Sequence, residues 1–198
     1  SMEVRSLIDE GLVVPDPAAL EGKGERLTTL PSNLPRLRSP LVGRAVDLEA
    51  LVELTTNNRV VTITGPGGVG KTTVLAELGR ILAPQFLEGT AFVSLADVTD
   101  SAGVLPALAE TLDVKEAEDR TLAEGVMTLI GERQALLLLD NLEQVIAAGP
   151  DLASLVERCP GVHLVTTSRT PLRIAAEREY PLGPLGLPPT SESTSIES

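Results

Sequence analysis

The sequence predicts an α/β fold in which a central, mainly parallel sheet is covered by helices on both faces. Three observations predict it. Runs of strand length rich in Val, Leu and Ile alternate with stretches whose apolar residues recur at helical spacing. Those runs show no polar alternation, as expected for strands buried on both sides. The apolar content, 42% of 198 residues, is aliphatic, with two Phe, one Tyr and no Trp, which suits layered packing.

The elements follow in order. Residues 1–40 carry Pro15, Pro17, Pro31, Pro35 and Pro40 among scattered Gly and charge, the composition of a linker that can drape on a domain but not fold alone. In "AVDLEALVEL", Val46, Leu48, Leu51, Val52 and Leu54 fall at helical spacing, and the helix should end near Asn57 and Asn58. "RVVTIT" is a β-branched strand that stops at Gly65, and residues 70–82 are good helix formers bounded by Pro84. A second strand is expected at "TAFVSLA", then helices at about residues 106–112 and 122–133, the latter with Leu122, Val126, Leu129 and Ile130 on one face. "ALLLLD" and "VHLVTTS" read as fully buried strands separated by a helix around residues 151–158. The end, "PPTSESTSIES", is polar, low in complexity and expected to be disordered. The expected organisation is a leader over 1–40, one domain over 41–187 and a tail over 188–198.

Charge and cysteine usage narrow the function. Sixteen basic against twenty-eight acidic residues give a net charge of −12, the wrong sign for gripping a nucleic-acid backbone, and the scarcity of aromatics argues against base stacking. Cys159 stands alone, which excludes an internal disulfide, and its apolar neighbourhood before Pro160 favours a buried, inert thiol. No apolar run is long enough to span a bilayer and no secretory pattern opens the chain, so a cytoplasmic protein without membrane contact is expected. A Ser ahead of Met2 reads as a remnant preceding an initiator, so the sequence is expected to be part of something larger.

The chemistry lies in "TITGPGGVGKTT", which fits two phosphate-binding patterns at once. Gly65, Gly67 and Gly70 match the G-x-G-x-x-G of a dinucleotide site, whereas Gly65, Gly70, Lys71 and Thr72 match the G-x-x-x-x-G-K-[ST] of a triphosphate loop. Either way, a strand feeds a loop whose following helix aims free N–H groups and a positive dipole at the ligand. The dinucleotide reading also needs an acid at the tip of the second strand, where only the rather distant Asp97 is available. The triphosphate reading needs an ammonium for the outer phosphates and a hydroxyl for Mg²⁺, which Lys71 and Thr72 supply. It is favoured, with residues Gly65, Gly67, Gly68, Val69, Gly70, Lys71, Thr72 and Thr73 forming the cradle. The fold is then a P-loop NTPase three-layer sandwich.

A second acid should orient the metal, and "LLLLDN" provides Asp140 at a strand end, where an isolated carboxylate is costly unless it faces a cation or hydrogen-bond donors. Thr72 and Asp140 are the expected Mg²⁺ ligands. The next residue, Asn141, cannot take a proton as a carboxylate can. Glu143 can approach from the following turn or be a solvated surface residue, so turnover is expected to be slow at best. Arg169, at the end of "VHLVTTSR", can fork onto a γ-phosphate and report its presence. With Lys71 and Asp140 it completes the expected catalytic set. His163 lies near the start of that strand, away from the loop, and is expected to be packed rather than a ligand.

In order along the chain, "SNLPRLRSPLVGRAVDLEALVEL", "VVTITGPGGVGKTTVLAELG", "ALLLLDNLEQV" and "LVTTSRTPLRIAAEREYPLGPL" resemble the nucleotide-binding domain of the signal-transduction ATPases with numerous domains (STAND). Within that class the chain is similar to the large bacterial transcriptional regulators of LuxR and SARP type, and more distantly to NB-ARC domains. The resemblance implies ATP or ADP with Mg²⁺ as ligands, Val42, Gly43 and Arg44 against adenine and ribose, Asp140 as Walker B acid and Arg169 as γ-phosphate sensor. It also implies an intramolecular lid and an effector domain, neither recognised here, and nucleotide exchange coupled to oligomerisation of the full-length protein. Ala45 departs from the usual Glu after Val-Gly-Arg. The competing reading is a metabolic P-loop enzyme such as a small-molecule kinase. Against it, the remaining arginines (Arg120, Arg133, Arg158, Arg173 and Arg178) are scattered rather than gathered in a lid segment.

Overall fold

A computed structural model describes Leu30, residues 32–36 and residues 41–185. The expected tail over 188–198 and most of the expected leader lie outside the described residues. Among the described residues there are five strands: β1 (Val60–Thr64), β2 (Thr90–Ser94), β3 (Ala135–Asp140), β4 (Val162–Ser168) and β5 (Glu177–Pro181). The helices are α1 (Ala45–Asn57), α2 (Lys71–Leu82), α3 (Val104–Thr111), α4 (Leu122–Ile130) and α5 (Gly149–Arg158). The strands pair in the order β2-β3-β4-β1-β5, every pairing parallel. Their carboxyl ends therefore share one edge of the sheet, where ligands of such folds bind.

The buried runs explain the layering, because successive side chains of a strand face opposite ways. In β3, Leu136 and Leu138 pack with Leu48, Leu51, Leu75 and Leu78 of α1 and α2, whereas Ala135, Leu137 and Leu139 pack with residues of α3, α4 and α5. An unbroken run of leucines thus feeds two cores. His163 also behaves as expected: its Nδ1 lies 2.9 Å from the Thr55 carbonyl oxygen and its ring meets Phe86 edge-on at 5.1 Å. Cys159 is buried and unpaired, and burial pushes its thiol pKa up.

Several boundaries differ from expectation for local reasons. Helix α4 stops at Ile130 rather than Arg133 because Gly131 adopts φ 53°, and it starts at Leu122 because Thr121 and Glu124 form a reciprocal capping box. Helices α3 and α5 each begin two residues before the expected start, and β2 ends at Ser94 instead of Ala96. Strand β5 is not expected from the sequence at all. It is an edge strand, half exposed, whose Glu177, Arg178 and Glu179 hide its pairing with β1.

The described part of the leader packs on the domain. Leu30 is buried and its N–H donates to the Glu88 carbonyl at 2.9 Å; Leu34 joins the core beneath α2, and Arg80 donates to the Pro35 carbonyl. The Asn33 side-chain amide occupies the free edge of β2: its Nδ2 donates to the Phe92 carbonyl at 2.8 Å and its Oδ1 accepts from the Phe92 N–H at 2.7 Å. One side chain thus stands in for a neighbouring strand and blunts an open edge. Asn33→Ala removes both bonds, and should cost about 1–2 kcal/mol and lower Tm by several degrees in a thermal melt. An unchanged Tm would mean that this segment does not hold the sheet edge.

Candidate functional site

Strand β1 ends at Thr64 and the chain turns through the glycine loop into α2. At Gly65 a side chain is excluded, since its Cβ would lie 2.6 Å from the Leu182 carbonyl oxygen just beyond β5. Gly70 precedes α2 with φ 97°, a left-handed conformation that brings the chain round so the free N–H groups of the first helical turn face the crevice. Lys71, 8% exposed, folds back on this loop: its Nζ donates to the carbonyl oxygens of Gly65 at 2.8 Å and Pro66 at 3.2 Å. The ammonium therefore sits at the loop's rim, held by neutral acceptors that a phosphate oxygen outcompetes.

Asp140 ends β3 and is 7% exposed. The Thr72 hydroxyl lies 3.0 and 2.8 Å from its two carboxylate oxygens, and the Thr167 hydroxyl donates to Oδ1 at 2.5 Å. The requirement that this carboxylate find donors is met by two hydroxyls from two different elements. Sequence reasoning did not single out Thr167. It sits near the end of β4, between β1 and β3, and its hydroxyl also accepts from the Asn141 N–H at 2.8 Å. The run of hydroxyl residues Thr166, Thr167 and Ser168 that closes the strand, with Thr167 level with the acid of the next strand, was the available signal.

Arg169 follows β4, with its side chain 65% exposed. Its Nε forms a 3.4 Å ion pair with Glu143 Oε1, and a guanidinium nitrogen comes within 3.3 Å of where a Gly67 Cβ would stand. Together Gly67, Gly68, Gly70, Lys71, Thr72, Thr73, Asp140, Asn141, Glu143, Thr167 and Arg169 line a cleft of about 410 Å³. A larger cavity of about 540 Å³ lies between the 113–117 loop, Arg120 and α4. Its lining includes Lys115, Glu116 and Arg120 but no residue of the glycine loop, nor Lys71, Thr72 or Asp140.

The strand order decides between the two phosphate patterns. A dinucleotide fold sets the second strand beside the first, but here β4 and β3 separate β1 from β2. Asp97, exposed beyond β2, is thus about 14 Å or more from the loop at ~4.8 Å per strand. The strand order thus favours the pattern that reads Lys71 and Thr72 over the one that reads Gly67.

The Val42-Gly43-Arg44 entry is placed differently for each residue. Val42 is exposed, and Gly43, at φ 74°, approaches the Leu185 side chain. Arg44 is buried, and its guanidinium is already engaged: it donates to the Val69 carbonyl at 2.8 Å and pairs with Asp47 at 3.1 Å. Its side chain braces the crest of the glycine loop. Asp47 in turn accepts from the Tyr180 hydroxyl at 2.8 Å, so β5 and α1 are tied to the loop.

Burial, then the bond to Asp47 and its negative charge, push the Tyr180 hydroxyl pKa up to about 12. Between pH 10 and 12 the native state keeps a proton that the unfolded chain has lost. Stability from this contact is therefore complete below pH 10 and declines as pH rises toward 12. Tyr180 is the chain's one tyrosine, so ultraviolet absorbance titration reads it alone. The midpoint should lie near 12 and drop in Asp47→Asn; an ordinary midpoint in the folded protein would show that the contact is not made.

A family model described as an AAA domain matches residues 54–174, more than half of the chain. A Mycobacterium tuberculosis protein bearing the name "Putative HTH-type transcriptional regulator" is 34% identical over 125 residues, which are 63% of this chain and 14% of that protein. An "Uncharacterized protein" of the same organism is 30% identical over 147 residues, covering 74% of this chain and 37% of the relative. The chain thus spans well under half the length of either. The crystal structure of Cdc6p from Pyrobaculum aerophilum matches with a TM-score of 0.55 and 16% identity over 75% of this chain and 47% of that one, a likeness of fold. With this sheet order and glycine loop, the chain belongs to the AAA domain family.

Proposed function

We propose that this AAA-type ATPase domain is an ATP/ADP-binding switch module of a larger transcriptional or signal-transduction regulator, of the STAND class, with slow Mg²⁺-dependent hydrolysis. One observation carries the reading: Lys71, Thr72, Asp140 and Arg169, drawn from α2, β3 and the end of β4, line a single cleft beside the glycine loop. A scaffold that had lost its ligand has no reason to keep that set together.

The residues present fit the proposed ligand. Open space surrounds Gly68 and Gly70 where a Cβ would stand, leaving the loop's main chain accessible to phosphate oxygens. Thr72 and Asp140, already in contact, are hard oxygen donors suited to Mg²⁺. Among the described residues no cluster of three or more His, Cys, Asp or Glu can hold a metal unaided. This agrees with an ion that keeps several waters and is completed by the nucleotide's own phosphates. When bound, the ion neutralises phosphate charge; Lys71 serves the outer phosphates, and Arg169 reads the γ-phosphate. Val42 and Gly43 offer a surface for the purine, and Arg44 keeps the loop in shape.

In this reading residues 41–187 form the nucleotide domain, with 1–40 as leader and 188–198 as tail. A lid and an effector belong to other parts of the longer protein, and the small share of the regulator-named relative that this chain spans supports that division. The net charge of −12 supports leaving nucleic-acid contact to another part. Among the described residues no helix is long and apolar enough to cross a membrane, in keeping with the proposed cytoplasmic setting. A switch requires a ligand that distinguishes two states; here the γ-phosphate, read by Arg169, is that difference.

Calorimetric titration with ADP and with a non-hydrolysable ATP analogue, each with Mg²⁺, tests this reading. The 198-residue protein should bind both, and Lys71→Ala should weaken binding by about 100-fold. Absence of binding in both proteins would remove the switch, and brisk multiple turnover would favour a metabolic enzyme.

A further inference from the structure

We infer that Glu143 is the residue that activates water for hydrolysis, and that Arg169 restrains it until a γ-phosphate draws the guanidinium away. The inference rests on the nucleotide reading above and names the regulation of that site.

The residue after the metal-facing acid is Asn141, which has no carboxylate to offer. Its backbone is instead left-handed, φ 72° and ψ 51°, with its N–H held by Thr167. That bend starts a short 3₁₀ turn, Leu142–Gln144, anchored by the buried Leu142. The turn brings Glu143 back over the cleft that contains Lys71, Thr72 and Asp140. A carboxylate three residues beyond Asp140 thus reaches the same space by a change of backbone path.

The two oxygens of Glu143 are not in equivalent surroundings. Oε1 faces Arg169 Nε at 3.4 Å, while Oε2 is out of solvent and has no hydrogen-bond partner among the described residues. A surface glutamate in an ordinary ion pair keeps its second oxygen hydrated. Here Oε2 is enclosed by the protein, so Oε1, the oxygen that Arg169 holds, is the one left to accept from an O–H that enters the cleft when the guanidinium moves away.

Arg169 has room to choose. Its side chain is 65% exposed, and its other neighbour is the loop crest at Gly67, where phosphate belongs. A γ-phosphate carries more charge than one carboxylate and accepts two parallel N–H bonds from the guanidinium fork. With ADP, the arginine stays on Glu143. With ATP it transfers to the γ-phosphate, and Glu143 is released toward water. The water oxygen then bonds to the γ-phosphorus as its proton passes to Glu143. The bond from that phosphorus to the bridging oxygen breaks, and ADP leaves with the electron pair. Glu143 returns the proton to solvent, and the products are ADP, inorganic phosphate and one proton.

The test compares the 198-residue protein with Glu143→Gln and Arg169→Ala, measuring affinity for ADP and for a non-hydrolysable ATP analogue by calorimetry, and ATP cleavage in single turnover. Glu143→Gln should bind both nucleotides with wild-type affinity, cleave ATP about 100-fold more slowly or worse, and yield intact ATP when the complex is denatured. Arg169→Ala should lose about tenfold in affinity for the analogue with its ADP affinity unchanged. Wild-type cleavage by Glu143→Gln, or binding without any cleavage by the wild-type protein, overturns the role of Glu143 while the nucleotide site stands. Loss of both nucleotides in Glu143→Gln together with a lowered Tm makes the residue structural and also overturns it. Failure of the wild-type protein to bind either nucleotide removes the underlying reading itself.

Discussion

The contact on which the site depends is the Asp140 carboxylate held by the hydroxyls of Thr72 and Thr167. It joins the first turn of α2 to the ends of β3 and β4, in a place where an unpartnered charge is expensive. Because α2 otherwise meets the paired strands β3 and β4 through the apolar core, the carboxylate helps fix how the glycine loop sits over the sheet edge. Three side chains from three elements thus hold one another in place at the mouth of the cleft. Preorganisation of this kind is what converts a set of polar residues into a site.

Around that centre, the loop is braced from the side as well as from below. Arg44 holds the Val69 carbonyl, Asp47 holds Arg44, and Tyr180 on β5 holds Asp47. Strand β5 therefore matters to the cleft although none of its residues lines it. A change in the segment after β5 can reach the loop crest through this chain of contacts and through the main-chain bond from Leu182 N–H to the Thr64 carbonyl, 2.7 Å long. At the opposite edge, Asn33 closes β2 with its side chain, so the sheet presents one blunted border and one charged border.

Much of this was legible in the sequence because burial on both faces writes itself as an unbroken apolar run. "VVTIT", "ALLLLD" and "VHLVTTS" are strands for that reason, and the glycine loop between strand and helix is fixed by the stereochemistry of Gly65 and Gly70. Strand β5 was not legible, since "EREYP" pairs on one side only and leaves charged residues exposed. The strand order, which separates the two phosphate patterns, depends on long-range pairing that no local window contains. Thr167 looked like any strand threonine until β3 was set beside β4. For Glu143 the approach from the following turn was legible as one of two readings, but the left-handed backbone of Asn141 that starts this turn was not. Arg44 was legible as part of a nucleotide-domain entry, but its partner at Val69, 25 residues on, was not.

The central claim is that the main chain of the glycine loop, with Lys71, Thr72 and Asp140, gathers the phosphates of a nucleoside triphosphate at the edge of the sheet. A crystal structure of this protein with Mg²⁺ and a non-hydrolysable ATP analogue tests it most directly. The account predicts phosphate density against the N–H groups of residues 67–72, with the Lys71 ammonium moved from the Gly65 and Pro66 carbonyls onto the phosphates. Nucleotide bound elsewhere, or a glycine loop left empty with Lys71 still turned back on its own main chain, would contradict it.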